Sequence, residues 1–422
     1  MLRQRGNDSV FCYGAVGHAD NGPRAAHVET SKNEECPANA GMTRSFATGP
    51  RTLPTTSRVP HTAYRIFSVI VVFCFRINWL QRCHARGKRV ERVLLDYGSG
   101  GKASHRLIGE LFLKYLGNEV LDRLDDAAFL EIKGPISVST DTFTVDPIFF
   151  PGGDIGSLAV HGTVNDVAML GARPRYLTCG FILEEGLPMA DLERIVQSMG
   201  NAAREAGVLV VTGDTKVVPK GAVDKIFINT TGIGEIFVDE APSGRRAAPG
   251  DAILISGFMG DHGLAILSKR EGLTFEAPVL SDCASLNHLI VRLLEAIPSV
   301  HVLRDPTRGG LATTLNEIAG QSGVECRIFE SKIPVRPEVT GGCSFLGLDP
   351  LYLANEGKFI CILPQEHAEA ALALMRSDPL GADAVQIGEV RGEHAGKVVL
   401  ETPLGGTRLM DMLEGEQLPR IC

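Results

Sequence analysis

The sequence predicts a two-domain α/β protein, on three observations. From about residue 94 onward, apolar runs of strand period alternate with runs of helical period. A stretch rich in Pro, Gly and Arg at 241–250 interrupts that alternation and reads as a domain boundary. At 422 residues and 44% hydrophobic, the chain is long and apolar enough to bury two ordinary cores.

In chain order, 136–139 reads as a short strand and 155–170 as a helix. Segments 175–183 and 208–212 read as strands around a helix at 189–206. The alternation in 226–236 marks one more strand. Beyond the boundary come a strand at 252–256, helices near 263–270, 285–296 and 311–320, a strand at 359–363, a helix at 366–376, and strands at 384–389 and 398–400. The end of the chain, 401–422, carries a Gly-Gly pair and reads as a flexible tail closing on Cys422. The expected units are therefore 1–92, 93–240, 241–400 and the tail.

Residues 1–92 stand apart, with Gly, Pro, Ser, Thr and Arg mixed without periodicity. They read as an over-extended start, with the working protein beginning near Val93, or as a disordered extension. The apolar run 66–75 is about half of the roughly 20 residues that a membrane span needs. Charge is divided unevenly: 1–92 holds 14 Lys+Arg against 6 Asp+Glu, and the remainder 28 against 44. A body that acidic excludes nucleic-acid binding, which needs a basic face. Ten cysteines without a CxxC pair indicate neither a zinc site nor a disulfide framework, and scattered thiols fit a reducing cytosol.

Six features carry chemistry. Gly98-Ser99-Gly100-Gly101-Lys102 lets backbone N–H groups approach phosphate and adds a cation, although alone it is equally a flexible loop. It is not a Walker A loop, since Ala103 follows the lysine. Asp125-Asp126, Asp141, Asp166, Asp214 and Asp305 sit at strand ends or turns among small residues. Together they could supply the hard oxygens Mg²⁺ prefers, and singly each is a cap or turn former. Lys216 in Gly-Asp-Thr-Lys can neutralise a transferred phosphoryl group or be an ordinary surface lysine. Arg308-Gly309-Gly310 opens a helix N-terminus suited to an anion. Glu356 in Asn-Glu-Gly-Lys is either a general base or a turn residue. Cys422, on a free end, is an unhindered thiol.

In this order, with Asn165-Asp166-Val167-Ala168-Met169-Leu170-Gly171-Ala172 and Asp-Pro-Thr-Arg-Gly-Gly-Leu among them, the motifs resemble the aminoimidazole ribonucleotide synthetase-like ATP-binding superfamily. The ending Pro419-Arg420-Ile421-Cys422 resembles that of its hydrogenase-maturation branch, the HypE carbamoyl dehydratases. The resemblance covers 94–422. It implies an N-terminal mixed sheet with helices that pairs across a homodimer, a C-terminal α/β sandwich, and ATP between them. It further implies Mg²⁺ on Asp125, Asp126, Asp141, Asp166 and Asp305, with Asp214 helping and 98–102 closing over the phosphates. The reaction it implies turns an S-carbamoyl group on Cys422 into a thiocyanate, the source of the cyanide ligand of [NiFe]-hydrogenase iron, with Asp166, Lys216 and Glu356 in chemical roles. The implied partners are the carbamoyltransferase HypF and the HypC–HypD iron scaffold. A selenophosphate synthetase would need a cysteine or selenocysteine in the glycine loop, where none stands. A non-catalytic thiol carrier would not need six nucleotide-type motifs.

Overall fold

The structure is a computed structural model that describes residues 91–273, 278–413 and 420–422. Except for Glu91 and Arg92, the expected N-terminal extension with its apolar run and four cysteines lies outside the described residues, as does the 414–419 part of the expected tail.

The chain enters through helix α1 (Lys102–Leu107), which continues by a π turn, Ile108–Phe112, into α2 (Leu113–Leu116). Strand β1 (Ile136–Phe143) follows, four residues longer than its apolar pattern predicts, because pairing with a neighbouring strand extends it through Thr140-Asp141-Thr142. The short hairpin of β2 (Phe149–Phe150) and β3 (Gly153–Asp154) delivers Asp154 to the start of α3 (Ile155–Met169). There the Asp154 carboxylate accepts from the N–H groups of Gly156 and Ser157, while the Ser157 hydroxyl accepts from the Asp154 N–H. This reciprocal cap fixes where the helix begins. The unit is completed by β4 (Ala172–Glu184), α4 (Met189–Ala206), β5 (Leu209–Val218) and β6 (Ile226–Ile236), in a sheet of order β1-β6-β4-β5. Only β4 and β5 run parallel, since α4 crosses between them.

Helix α3 has no solvent face: Ser157 and Asp166 are its only residues that are not buried. A helix apolar all round belongs inside a core. Its contact with α4 is backbone-close at Gly156, where a Cβ would fall 2.3 Å from the carbonyl oxygen of Ile195.

The second unit contains β7 (Asp251–Ile255), α5 (Asp261–Glu271), α6 (Asn287–Ala296), β8 (Val302–Arg304), α7 (Gly310–Ser322), β9 (Glu325–Phe329), α8 (Pro337–Leu346), β10 (Ile360–Pro364), α9 (Ala368–Arg376), β11 (Val385–Arg391), β12 (Lys397–Glu401) and β13 (Thr407–Leu409). Its sheet has the order β13-β12-β9-β11-β7-β10-β8. All five residues of β7 are buried. Ile253 and Ile255 pack on one face with Leu311 and Leu315 of α7, and Ala252 and Leu254 on the other with Leu289 and Leu293 of α6. Both faces of this sheet are therefore covered. The sequence patterns did not disclose the helical segment 102–116, β8, β9 or α8. Their apolar residues are few or interrupted by Gly and charge, so contacts with distant residues decide them. Phe359, the largest fully buried side chain, packs in the α6–α9 core. Phe359→Ala is expected to lower the unfolding free energy by about 3–5 kcal/mol in urea denaturation.

Candidate active site

Strand register decides which sequence-predicted residues can meet. Along β1, Ser137, Ser139, Asp141 and Phe143 turn toward α3, while Ile136, Val138, Thr140 and Thr142 turn away. Asp166, on α3, receives a 2.7 Å hydrogen bond from the Ser139 hydroxyl. Asp305 comes from the end of β8, and Glu356 from the turn before β10. These side chains line one cavity of about 480 Å³ together with Arg308, Ser243, Gln321 and Cys422. Arg308 lies 3.6 Å from Asp141. Gly309 and Gly310 hold positive φ at the start of α7, and a Cβ on Gly310 would fall 2.6 Å from the carbonyl oxygen of Leu353. Only glycine fits this close left-handed turn beneath Arg308.

The cavity gathers more negative charge than its surroundings can balance. Burial, then the charges of Asp305 and Asp141, push the Asp166 carboxyl up to about 8. Burial also raises Asp305, to about 6. Glu356 is pushed well above the usual carboxylate range, by burial first and then by Asp305, Asp282, Asp141 and Asp166. Its Oε1 is buried with no hydrogen-bond partner, as is Oδ2 of Asp282. Buried carboxylate oxygens without donors cost free energy that a divalent cation would recover. Asp141, Asp166 and Asp305, which line one cavity with Glu356, offer the hard carboxylate oxygens that a Mg²⁺ ion takes, although their oxygens are not drawn together into a preformed ligand cluster.

Glu356 is held in place through its backbone. Its N–H donates to Asp282 Oδ1 at 3.0 Å, and its carbonyl oxygen accepts from Asn165 Nδ2 at 3.3 Å. Sequence reasoning assigned no role to Ser139, although it opens the Ser139-Thr140-Asp141 motif, and missed Asp282, which lies in no pattern that marks it.

The end of the chain is seated. The N–H of Thr144 donates to a terminal carboxylate oxygen of Cys422, and that of Asp146 to the carbonyl oxygen of Arg420. Ile421 is buried in the first unit's core. The expected free tail is thus corrected at both ends: β13 (Thr407–Leu409) and the buried Met410 join the second unit's sheet, and the last three residues pack against the stretch following β1 and place Cys422 in the acidic cavity. Burial, then Glu356, pushes its thiol up to about 12.

The remaining predicted residues form a second group. Gly98, Gly100, Asp125, Asp214 and Lys216 line a separate cavity of about 350 Å³ between the 97–128 segment and β5. Ser99, Gly101, Lys102 and Asp126 lie exposed on that same segment. Through β4 and β6, Asp214 is in register with Thr142 on the outward face of β1, Lys216 lies in line with Ile182 and Phe227 just beyond the end of β1, and both stand on the opposite edge strand. Three strand spacings, about 14 Å, and a reversal of face separate them from Asp141. The expectation that Asp125, Asp126 and Asp214 join the Asp141 cluster, with Lys216 and the glycine loop beside it, is corrected for a single chain. Instead Asp214 pairs with Lys216 at 3.0 Å, and both are exposed.

Comparison with known proteins agrees with this architecture. Residues 124–236 match the family model "AIR synthase related protein, N-terminal domain", and 248–401 match the corresponding C-terminal domain. The chain is 56% identical over 344 residues to the carbamoyl dehydratase HypE of Azotobacter vinelandii, covering 81% of this chain and all of that protein. It is similar, at 69% identity and a TM-score of 0.77, to a crystal structure of a hydrogenase maturation protein HypE in complex with ATP, covering 78% of this chain and 99% of that one. A HypE–HypF complex matches at 51% identity and a TM-score of 0.65, over 73% of this chain and 99% of that one.

Asp166→Asn is expected to stabilise the cation-free protein by roughly 1 kcal/mol, since it removes a buried charge among like charges. The wild-type carboxyl binds its proton more tightly folded than unfolded, where its pKa is about 3.9, so wild-type stability falls as pH rises from about 4 to 8. The advantage of Asp166→Asn should therefore grow across that window in thermal melts with chelator.

Proposed function

The chain belongs to the HypE family of carbamoyl dehydratases, and from that premise we infer that it uses ATP to convert an S-carbamoyl group on its own Cys422 into a thiocyanate for hydrogenase maturation. The observation that carries the residue assignment is the seating of Cys422 in the same cavity as Asp141, Asp166, Asp305 and Glu356.

We propose that Asp141, Asp166 and Asp305 hold Mg²⁺, which supplies charge neutralisation for the phosphates of ATP when bound. The thiocarbamate oxygen attacks the γ-phosphorus, and the bond from that phosphorus to the bridging oxygen of ADP breaks. Two N–H protons then leave, the C–O bond breaks and phosphate departs, giving S–C≡N. Glu356, the buried carboxyl nearest this chemistry, is the acceptor for one proton once cations offset its neighbours. Arg308, at the mouth of the cavity, meets the polyphosphate.

Lys216 and the 98–102 loop serve the same reaction from a second copy. The sheet leaves one face bare, with Val138, Ile136 and Ile182 between 41% and 56% exposed. Pairing two such faces in a homodimer would cover these residues and bring the β5 edge of one copy to the β1 edge of the other. We propose that HypF loads Cys422 and that a HypC–HypD scaffold receives the cyanide. The six cysteines among the described residues are all free thiols. No helix among the described residues is long and apolar enough to cross a membrane.

Intact-mass analysis of the carbamoylated protein should show a loss of about 18 Da on adding Mg-ATP, the water equivalent that separates carbamoyl from cyano. Glu356→Gln should slow that loss about hundredfold, and Cys422→Ala should carry no adduct. A carbamoyl adduct that survives ATP hydrolysis would count against dehydration. Val138→Lys, on the β1 edge strand of the bare face, should shift the protein from twice the chain mass toward a single chain in sedimentation. Mixing Cys422→Ala with Lys216→Ala protein should restore activity that neither has alone, if the two halves of the site come from different copies.

A further inference from the structure

The contacts that seat the tail fall mainly on its backbone. His262 is fully buried, edge-on to Phe150, and its Nε2 lies 3.0 Å from the carbonyl oxygen of Ile421. A carbonyl only accepts, so this nitrogen carries the hydrogen. The other ring nitrogen lies 2.8 Å from the Ser281 hydroxyl, which fixes the ring's orientation. Arg270 donates from Nη2 to the carbonyl oxygen of Arg420 at 2.7 Å, and from Nε and Nη2 to that of Asp146. It thereby ties the tail to the stretch that follows β1. Thr144 completes the set, its N–H 3.1 Å and its hydroxyl 3.3 Å from an oxygen of the terminal carboxylate of Cys422.

Of residues 420–422, Arg420 is the one whose side chain is gripped by polar groups. Arg420 donates from Nη1 to Asp224 Oδ2 at 2.7 Å and from Nε to the carbonyl oxygen of Thr144 at 2.8 Å. Its φ of +55° is a left-handed conformation that a non-glycine residue adopts only when its surroundings demand it. The Cys422 sulfur has no polar partner in this seat and faces the cavity.

We propose that Arg270 and His262 are positioning residues that register the tail by its carbonyl groups, so that the seat accepts the thiol, the carbamoylated and the cyanated sulfur alike. This rests on the reaction assigned above. A seat that read the sulfur would bind one of the three states best and oppose turnover of the others. One that reads the backbone holds the reacting carbon at a constant place while the group on it changes. Arg270, His262 and Asp224 are not among the residues that line the acidic cavity, so loosening Arg270 leaves the proposed nucleotide contacts in place.

The test compares Arg270→Met with wild type in full-length protein, with Arg420→Ala as a second variant that loosens the seat from the tail side and leaves both cores intact. Without nucleotide, alkylation of Cys422 by iodoacetamide, read on the C-terminal peptide, should accelerate about tenfold in each. In single turnovers of the carbamoylated protein at saturating Mg-ATP, the 18 Da loss should slow about tenfold with the KM for ATP unchanged. Arg270→Lys should recover part of both. Alkylation rates equal to wild type in both variants would overturn the seat. Faster alkylation with an unchanged dehydration rate would overturn the positioning role. Wild-type protein that loses no 18 Da while its tail is protected would instead overturn the assigned reaction and leave the seat standing.

Discussion

The side chain of Asn165 uses its hydrogen-bonding capacity across the junction of the two units, and the site depends on it. It is 1% exposed, donates to the carbonyl oxygens of Ala284 and Glu356, and accepts from the N–H of Leu286. An amide buried this deeply is stable only if its partners stay in place, so α3, the 284–286 segment and the Glu356 turn form one rigid set. The neighbouring residue on α3, Asp166, is thereby aimed into the space that the same contacts define. The caps and glycines of α3 serve that end: Asp154 sets its first turn, and Gly156 lets it lie against α4 at backbone distance.

On that rigid frame the protein assembles an arrangement that is unfavourable by itself. Four carboxylates line one cavity, the buried Oε1 of Glu356 has no hydrogen-bond donor, and the buried Oδ2 of Asp282 has only Lys358 Nζ, 3.9 Å away. Packing energy elsewhere keeps the cluster together, as the two well-filled sheet cores can. What the cluster gains is a strong field for cations and for the phosphates that travel with them. The thiol seated beside it is held protonated by burial first and then by the charge of Glu356, which suits a sulfur that should not react indiscriminately while docked.

The four-stranded sheet distributes chemistry between its faces. Its inward face carries Ser139 and Asp141 toward α3, and its bare face carries Lys216 and Asp214 at the far edge. Because side chains alternate strictly along a strand, no small adjustment of one chain brings the two sets together. A second copy is the economical way to unite them, and it would also cover Val138 and Ile182.

The order of strands and helices was legible in the sequence because apolar periodicity is a local property, and 155–170, 189–206 and 226–236 were read nearly to the residue. The types of functional group were legible too, since Asp, Lys, Gly-Gly and a terminal Cys carry their chemistry wherever they fold. Segments 102–116, 302–304 and 337–346 were not, because their structure is stabilised by residues far away in sequence. Which aspartates meet depends on strand register and on which face each residue occupies, and no motif spacing encodes that. Asp125 and Asp126 therefore looked like partners of Asp141 and lie elsewhere, while His262 and Arg270, without any motif, grip the tail. Local patterns determine elements and chemical types. Only tertiary packing decides their company, because contacts between residues 421 and 262 exist solely once both cores have formed.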